Sequence, residues 1–331
     1  MDPVSRRRAL LAVAALAASP RIACAQQPSR PFRIAFLSNG SAVSAGSLRD
    51  ALVRGLDEHG WRSGRDFVLE AWWADGKLDR LPSLVAEMLA WQPDLVAAPS
   101  GIAAQAAQKS GTTLPIVFAL APDPVGQGFG TSLARPGRNM TGLTSTHNEL
   151  SGKRLELLKE AFPGTRHVAV LYYRALAPAG VAEQLAETER AARVLGLTLT
   201  TEESPRVDDF ERAFAAMQRQ RPDALVVIEN PLFFSNRGRL AELAAGLRVP
   251  AIFNVAEYVQ AGGLMSYGAS YGDLIRRSAG YAVKILKGAA PGDLPIERPT
   301  KFELVINAKT ARAIGVVIPQ AILVRADSVV E

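Results

Sequence analysis

The residues of this sequence that could do chemistry follow short apolar segments that predict strands. Ser38 and Asn39 follow the first segment, and Ser100 with Gly101 follow the third. Hydroxyl, amide and free backbone N–H groups bind small polar molecules through hydrogen bonds. In open parallel sheets, ligands bind beyond the carboxyl ends of the strands. These residues therefore indicate a noncovalent binding site at that edge of a sheet.

Other polar and aromatic side chains stand at similar positions further along the chain. They are Asp123, Tyr172, Glu229, Asn230, Asn254 and Tyr267. Asp123 lies between two prolines, where it would either pair with an amine of a ligand or shape a turn. Ser100 would cap a helix, and with Gly101 it would also offer N–H groups to a carboxylate. Both alternatives stay open for both positions.

Signatures of catalysis are weak in this sequence. It contains neither a G-x-S-x-G nucleophile motif nor a G-x-x-x-x-G-K phosphate loop. The three histidines, His59, His147 and His167, have no metal-binding spacing. The glycine-rich segment 126–130 lacks a matching acidic residue and predicts a flexible crossover loop. We expect no enzymatic activity, no cofactor and no metal; a secreted hydrolase, the alternative, needs a nucleophile–base pair that no histidine supplies.

Net charge and length limit the functional class and the number of domains of this protein. The formal net charge is +6, and residues 1–25 carry four of the arginines and one aspartate, so the rest of the chain is near +3. Both signs are interspersed, which differs from the clustered basic surface of a nucleic-acid-binding protein. The length suits two ordinary domains.

The N-terminal residues have the pattern of an export signal. Arginines at 6–8 precede an apolar run at 9–18, and an A-C-A site ends at residue 25. The sequence therefore predicts removal of residues 1–25 and a periplasmic protein. Arg7 and Arg8 fit twin-arginine export, with the general route as the alternative. Cys24, the only cysteine, would be removed with the signal or would carry a lipid anchor.

The elements that must position these residues alternate between strand and helix. Apolar runs at 33–38, 67–73, 94–98 and 115–119 alternate with helical patterns. A turn-rich stretch at 121–146 follows, and the alternation then restarts, with a long helix expected at 234–247 and a last strand at 302–306. Strands that are apolar throughout indicate parallel sheets covered on both faces. We expect an α/β protein of two Rossmann-like lobes with a crevice between them.

Several segments together resemble one family. They are D-P-V-G at 123–126, R-P-G-x-N-x-T-G at 135–142 and S-Y-G at 266–268. The sequence is similar here to the ABC transporter substrate-binding family that includes tryptophan- and phenylalanine-binding lipoproteins.

The resemblance implies the type I periplasmic binding fold, whose lobes are joined by a three-strand hinge and close on a ligand. It implies one lobe of residues 31–145 plus about 268–297, and a second of 146–267 plus about 298–331. It places ligand contacts at Ser38, at Ser100 with Gly101, and at Asp123. The chain departs from the family at Ser100-Gly101, where Thr-Pro is usual, and at Glu229-Asn230, where a small polar pair is usual.

The function implied is that of a periplasmic solute-binding protein, a monomer that carries a small organic ligand, an amino acid first, to ABC permease subunits. The alternative is the same two-lobed module reporting ligand occupancy to a membrane signalling protein.

Overall fold

The computed structural model describes residues 30–145, 148–174 and 178–331. The predicted export signal, with Cys24 and the arginine pair, lies outside these residues, as does His147. Within the described ranges, no helix combines the length and apolarity that a membrane crossing needs.

The first lobe contains a parallel five-stranded sheet in the order β2-β1-β3-β4-β5. Its strands are β1 (Phe32–Ser38), β2 (Phe67–Trp73), β3 (Leu95–Ser100), β4 (Ile116–Ala121) and β5 (Met140–Thr144). Its helices are α1 (Ala42–Glu58), α2 (Leu81–Ala90), α3 (Gly101–Lys109) and α10 (Tyr271–Leu286), with short 3-10 turns at Leu78–Arg80 and Pro291–Asp293. Most residues of β1, β3 and β4 are buried, because helices cover both faces of the sheet.

The second lobe contains a seven-stranded sheet in the order β12-β11-β10-β9-β8-β6-β7. Its strands are β6 (His167–Tyr172), β7 (Thr198–Glu203), β8 (Ala224–Val227), β9 (Ala251–Phe253), β10 (Met265–Ala269), β11 (Phe302–Asn307) and β12 (Ser328–Val330). Its helices are α4 (Ser151–Ala161), α5 (Pro178–Leu195), α6 (Phe210–Gln220), α7 (Pro231–Ser235), α8 (Arg237–Gly246), α9 (Ala256–Gln260), α11 (Ala308–Ile314) and α12 (Gln320–Leu323), with 3-10 turns at Asn148–Leu150 and Val207–Asp209.

The chain crosses between the two sheets three times. It passes from β5 to α4, returns from β10 to α10, and crosses again before β11. Two of these segments lie side by side, because the Thr144 N–H donates to the Glu297 carbonyl oxygen (2.9 Å) and the Glu297 N–H donates to that of Gly142 (3.0 Å). The α/β class and the two-lobed arrangement predicted from the sequence are confirmed; the exact lobe boundaries stay predictions.

The structure differs from the sequence prediction in three places. The stretch expected to be turns contains β5. The glycine at position 142 made this segment resemble a turn in the sequence. A Cβ at that position would lie 1.8 Å from the Phe118 carbonyl oxygen, so only glycine fits beside β4. The helix expected at 234–247 is two helices, which meet at Asn236. The strand expected to be last, β11, runs antiparallel to β10, and α11, α12 and β12 follow it.

Candidate functional site

A crevice of about 360 Å³ lies between the two lobes. This volume is in the range of small-molecule sites. Seven of the residues predicted from strand ends line it: Ser38, Asn39, Ser100, Gly101, Asp123, Glu229 and Asn230.

Three predicted residues, Tyr172, Asn254 and Tyr267, are not among the residues that line the crevice. Tyr172 is the last residue of β6, and the Arg174 guanidinium lies 5.6 Å from its ring centroid. Tyr267 lies near Phe302, with ring centroids 6.4 Å apart. Asn254 is buried behind the crevice wall. Tyr267 is in the middle of β10 and not at its end, where the sequence pattern had placed it. Side chains on a strand alternate between its two faces, and the sequence does not show which face meets the other lobe.

The loop after β1 is joined to the start of α3 by side-chain hydrogen bonds. The Ser100 hydroxyl donates to Asn39 Oδ1 (2.6 Å) and accepts from the Ala103 N–H (3.2 Å). Ser38 Oγ accepts from the Gly40 N–H (3.1 Å), which closes the turn. Ser100 therefore caps α3, as one of the two predicted alternatives has it, and it also fixes Asn39 at the crevice.

Gln127 lies over the start of α3. Its place at the crevice was not predicted from the sequence. A Cβ at residue 101 would lie 3.0 Å from both Gln127 Oε1 and Nε2, so Gly101 makes room for this amide. Gln127 lines the crevice, and its buried Oε1 has no hydrogen-bond partner in the part of the chain that the structure describes. Gln127 is thus a crevice acceptor that a ligand donor could satisfy.

The loop that carries Gln127 is ordered, in contrast to the expected flexible crossover. Phe129 is fully buried and lies 5.2 Å from the Phe118 ring, centroid to centroid. The Gln108 side chain donates to the Gly128 carbonyl oxygen (2.7 Å), and the Gln127 N–H donates to that of Asp123 (3.0 Å). Buried aromatic packing and these bonds fix the loop although its composition is glycine-rich.

Asp123 lies at the exposed rim of the crevice. Its Oδ1 accepts a hydrogen bond from the Gly126 N–H (2.9 Å). This contact corresponds to one of its two predicted roles, shaping a turn; the other was pairing with a ligand amine. The same carboxylate still borders the crevice, so the turn does not by itself remove it from a ligand.

Glu229 is the second carboxylate of the crevice, and it lies deeper. It is the second residue after the end of β8 and is half-buried. Burial raises the pKa of Glu229 to about 7, although a hydrogen bond with Tyr271 and the charge of Arg154 favour the ionised form. Near neutral pH this carboxyl is thus present in both protonation states.

Arg154 is a buried cation behind this wall. Its Nε donates to the Tyr267 carbonyl oxygen (2.7 Å), and burial lowers the pKa of Arg154 to about 10, which leaves it charged at neutral pH. Arg154 does not line the crevice. Among the described lining residues there is no Lys, Arg or His, so two carboxylates are the charged side chains of this surface.

Two further amides come from the second lobe. Asn230 caps α7 through its Oδ1, which accepts from the Phe233 N–H (3.0 Å). Asn230 Nδ2 and the Oε1 of Gln184, on α5, are buried at the crevice and have no partner within the described ranges. Asn230 was predicted from the strand end; Gln184 was not, because a helical pattern does not show which helix faces the other lobe.

Apolar side chains complete the crevice. Phe234 and Tyr271 line it with ring centroids 5.4 Å apart, and Leu48, Ile102 and Val181 add aliphatic surface. The Arg237 guanidinium lies 4.8 Å from the Phe234 ring centroid, and its Nη1 donates to the Ser44 carbonyl oxygen of the first lobe (3.1 Å). We call this interlobe hydrogen bond the Arg237–Ser44 contact. The site combines an apolar chamber with separate polar groups, as ligand sites do.

Two lobes of parallel sheet with a ligand-sized crevice at the strand ends define a solute-binding protein. The family model described as ABC transporter substrate binding protein matches residues 35–330, and the chain belongs to this family. It is a substrate-binding protein and not an enzyme. In the described ranges no group of three or more His, Cys, Asp or Glu is placed to hold a metal ion.

Three proteins are similar to this chain in sequence or in fold. A tyrosine-binding protein of Clostridioides difficile (strain R20291) is 24% identical over 271 residues, which cover 82% of this chain and 77% of the relative. A conserved domain protein from Vibrio cholerae has a TM-score of 0.81 at 25% identity, covering 91% of this chain and all of that one. The ABC domain from Streptococcus pneumonia in complex with L-Trp has a TM-score of 0.81 at 24% identity, with the same coverage.

Proposed function

We propose that this chain is the solute-binding component of an ABC importer and that it carries an amino-acid-like ligand in the interlobe crevice. The observation that carries the proposal is the crevice itself, in which an aromatic pair, Phe234 and Tyr271, adjoins separate polar groups from both lobes. An apolar or aromatic side chain would lie against these rings. The ligands of two similar proteins, tyrosine for one and L-Trp for the other, are of this kind.

The polar groups suit the other end of such a ligand. The first N–H groups of α3, at Gly101 and the next residue, are free of intrahelical partners by position and would donate hydrogen bonds to a carboxylate. A carboxylate of the crevice, Asp123 or Glu229, would pair with the amine.

The ligand-bound protein would deliver its cargo to permease subunits in the membrane, from the compartment outside the inner membrane. Binding between two lobes favours their closed arrangement, which a permease can distinguish from the open one. No observation on this chain favours the sensing alternative, and the family to which it belongs is one of transporter components. A monomer remains our expectation.

A ligand screen tests the proposal. The purified protein is heated with single L-amino acids, nucleosides, sugars and aromatic acids, and the melting temperature is followed. A ligand at one hundred times its dissociation constant stabilises the folded state by about 2.7 kcal/mol, or several degrees in melting temperature. We expect tyrosine or tryptophan to give such a shift. Stabilisation by sugars or nucleosides with no response to any amino acid would contradict the proposal.

A further inference from the structure

We propose that Glu229 selects the ligand by accepting hydrogen bonds from a protonated nitrogen, and that its own proton leaves to solvent when the ligand binds. The inference rests on the proposed function, which it deepens by naming the group that recognises the ligand and the coupling of capture to pH.

The position of Glu229 carries the inference. It follows β8, lines the crevice, and lies next to Asn230, whose Nδ2 is one of the unpartnered buried amide groups of the described chain. Gln127 of the first lobe and Gln184 of the second lobe also line the crevice, and their Oε1 atoms are acceptors without partners in the described chain. These acceptors, with no cationic side chain among the described lining residues, are complementary to the N–H donors of a ligand ammonium group, whereas the Asn230 Nδ2 donor and the first N–H groups of α3 suit a ligand acceptor.

Asp123, the other carboxylate, is less suited to this role. It is exposed, and one of its oxygens accepts from the Gly126 N–H at 2.9 Å. An ion pair in contact with water gains little, since the high dielectric constant weakens the attraction. A pair formed at the less exposed Glu229 is stronger, because the closed crevice excludes water.

The groups around Glu229 hold it in a mixed state when the crevice is empty. Tyr271 from α10 hydrogen-bonds to it, Arg154 from α4 attracts its negative charge, Glu257 from α9 repels it, and the Asn254 amide after β9 lies near enough to favour the ionised form slightly. Tyr258, fully buried on α9, also faces this region. Burial outweighs the attractive groups, so the pKa of Glu229 is about 7.

A cationic ligand changes that balance. An opposite charge within about 4–6 Å favours the ionised carboxylate. At neutral pH the fraction of Glu229 that is protonated must lose its proton: the carboxyl O–H breaks, the proton passes to solvent, and the carboxylate accepts from the ligand N–H. A ligand that offered a carboxylate to this position would have the opposite effect. It would bind the protonated form of Glu229, so the ionised fraction of Glu229 would take up a proton from solvent.

Calorimetry measures the sign of this coupling. L-Tyrosine and L-tryptophan are titrated into the full protein at pH 7 in buffers of different ionisation enthalpy. For a group with a pKa of about 7 we expect release of about half a proton per ligand, and affinity about tenfold weaker at pH 6 than at pH 8. Proton uptake, or affinity independent of pH, overturns the inference.

Variants assign the proton to Glu229. Glu229→Gln should abolish the release and weaken tyrosine binding at least tenfold, whereas the control Asp123→Asn should keep the release. Release that persists in Glu229→Gln overturns the assignment. If Glu229→Gln does not fold, the proton release measured on the unaltered protein still tests the inference. Release of half a proton on ligand binding requires a group that titrates near neutral pH.

Matched analogues test the nitrogen. Tyramine lacks the carboxylate of tyrosine and should still release a proton; 3-(4-hydroxyphenyl)propionate lacks the amine and should bind at least tenfold more weakly than tyrosine. If the propionate binds as tightly as tyrosine, the inference about Glu229 is overturned, but the proposed function is not, since an amino acid still binds. If no amine in the screen binds, the proposed function fails as well, and the two failures are therefore distinguishable.

Discussion

Single side chains at this crevice are positioned by contacts within the protein before any ligand arrives. Ser100 holds Asn39, and Gly101 admits the Gln127 amide over the first turn of α3. Sequence reasoning found Ser100, Gly101 and Glu229 because a strand end is visible in the pattern. It did not find Gln127, because the side-chain direction inside a loop depends on packing that composition does not show.

Gly101→Ala should change ligand affinity more than stability. The added methyl would meet the Gln127 amide at 3.0 Å, so the end of a flexible side chain must move by a few tenths of an ångström. We expect tyrosine affinity to change several-fold and the free energy of unfolding to change by less than about 1 kcal/mol. The control is Gly46→Ala in α1, where a Cβ meets no atom within 4 Å. Equal affinity in both variants would show that the Gln127 position is unimportant.

The carboxyl of Glu229 should make the empty protein less stable as pH rises. Its pKa is about 7 in the folded state, above the ordinary 4.5, so between these values the folded state binds more protons than the unfolded state. Its contribution is therefore favourable at low pH and is lost as pH rises toward 7 and above. Urea unfolding at pH 5, 6 and 7 should show a stability slope that Glu229→Gln reduces; an identical slope in both proteins would contradict the raised pKa.

The helices and strands were predictable where their pattern was long and regular. The strand–helix alternation of the first lobe follows from uniformly apolar runs such as β1 and β4. Elements near Gly142, at Asn236 and after β11 were not found, because a close backbone approach, a break between two helices and an antiparallel return depend on tertiary neighbours.

The loop at 122–130 should behave as a packed element. Phe129→Ala removes a fully buried ring that contacts Phe118 and should cost about 3–5 kcal/mol of unfolding free energy. Because the same loop carries Gln127, tyrosine affinity should also fall. Val125→Ala, at an exposed residue of the loop, is the control and should stay within about 0.5 kcal/mol. A Phe129→Ala protein as stable as the control would show that the loop is not packed.

The whole molecule is two lobes joined by three chain crossings and by contacts across the crevice. Two-lobed architecture was predictable from the restart of the alternation after the turn-rich stretch. Contacts between the lobes, such as the Arg237–Ser44 contact, were not predictable. They join residues that are far apart in sequence, and periodicity alone does not show which side of each helix faces the other lobe.

Arg237→Ala should loosen the closed arrangement of the lobes. The substitution removes the hydrogen bond to the Ser44 carbonyl and the stacking of the guanidinium on Phe234. Without ligand, small-angle X-ray scattering should give a larger radius of gyration, and tyrosine affinity should fall several-fold because closure contributes less. Arg239→Ala is the control, since Arg239 pairs with Glu211 and Glu242 inside the second lobe. An unchanged radius of gyration in Arg237→Ala would exclude this role.

The Arg237–Ser44 contact also has an evolutionary consequence. Its acceptor is a main-chain carbonyl, which every residue type provides, so substitutions at position 44 need no compensating substitution at position 237. Pairwise covariation among related sequences would therefore miss this interlobe bond. Only retention of arginine at position 237, independent of its partner, would record that the two lobes are held together there.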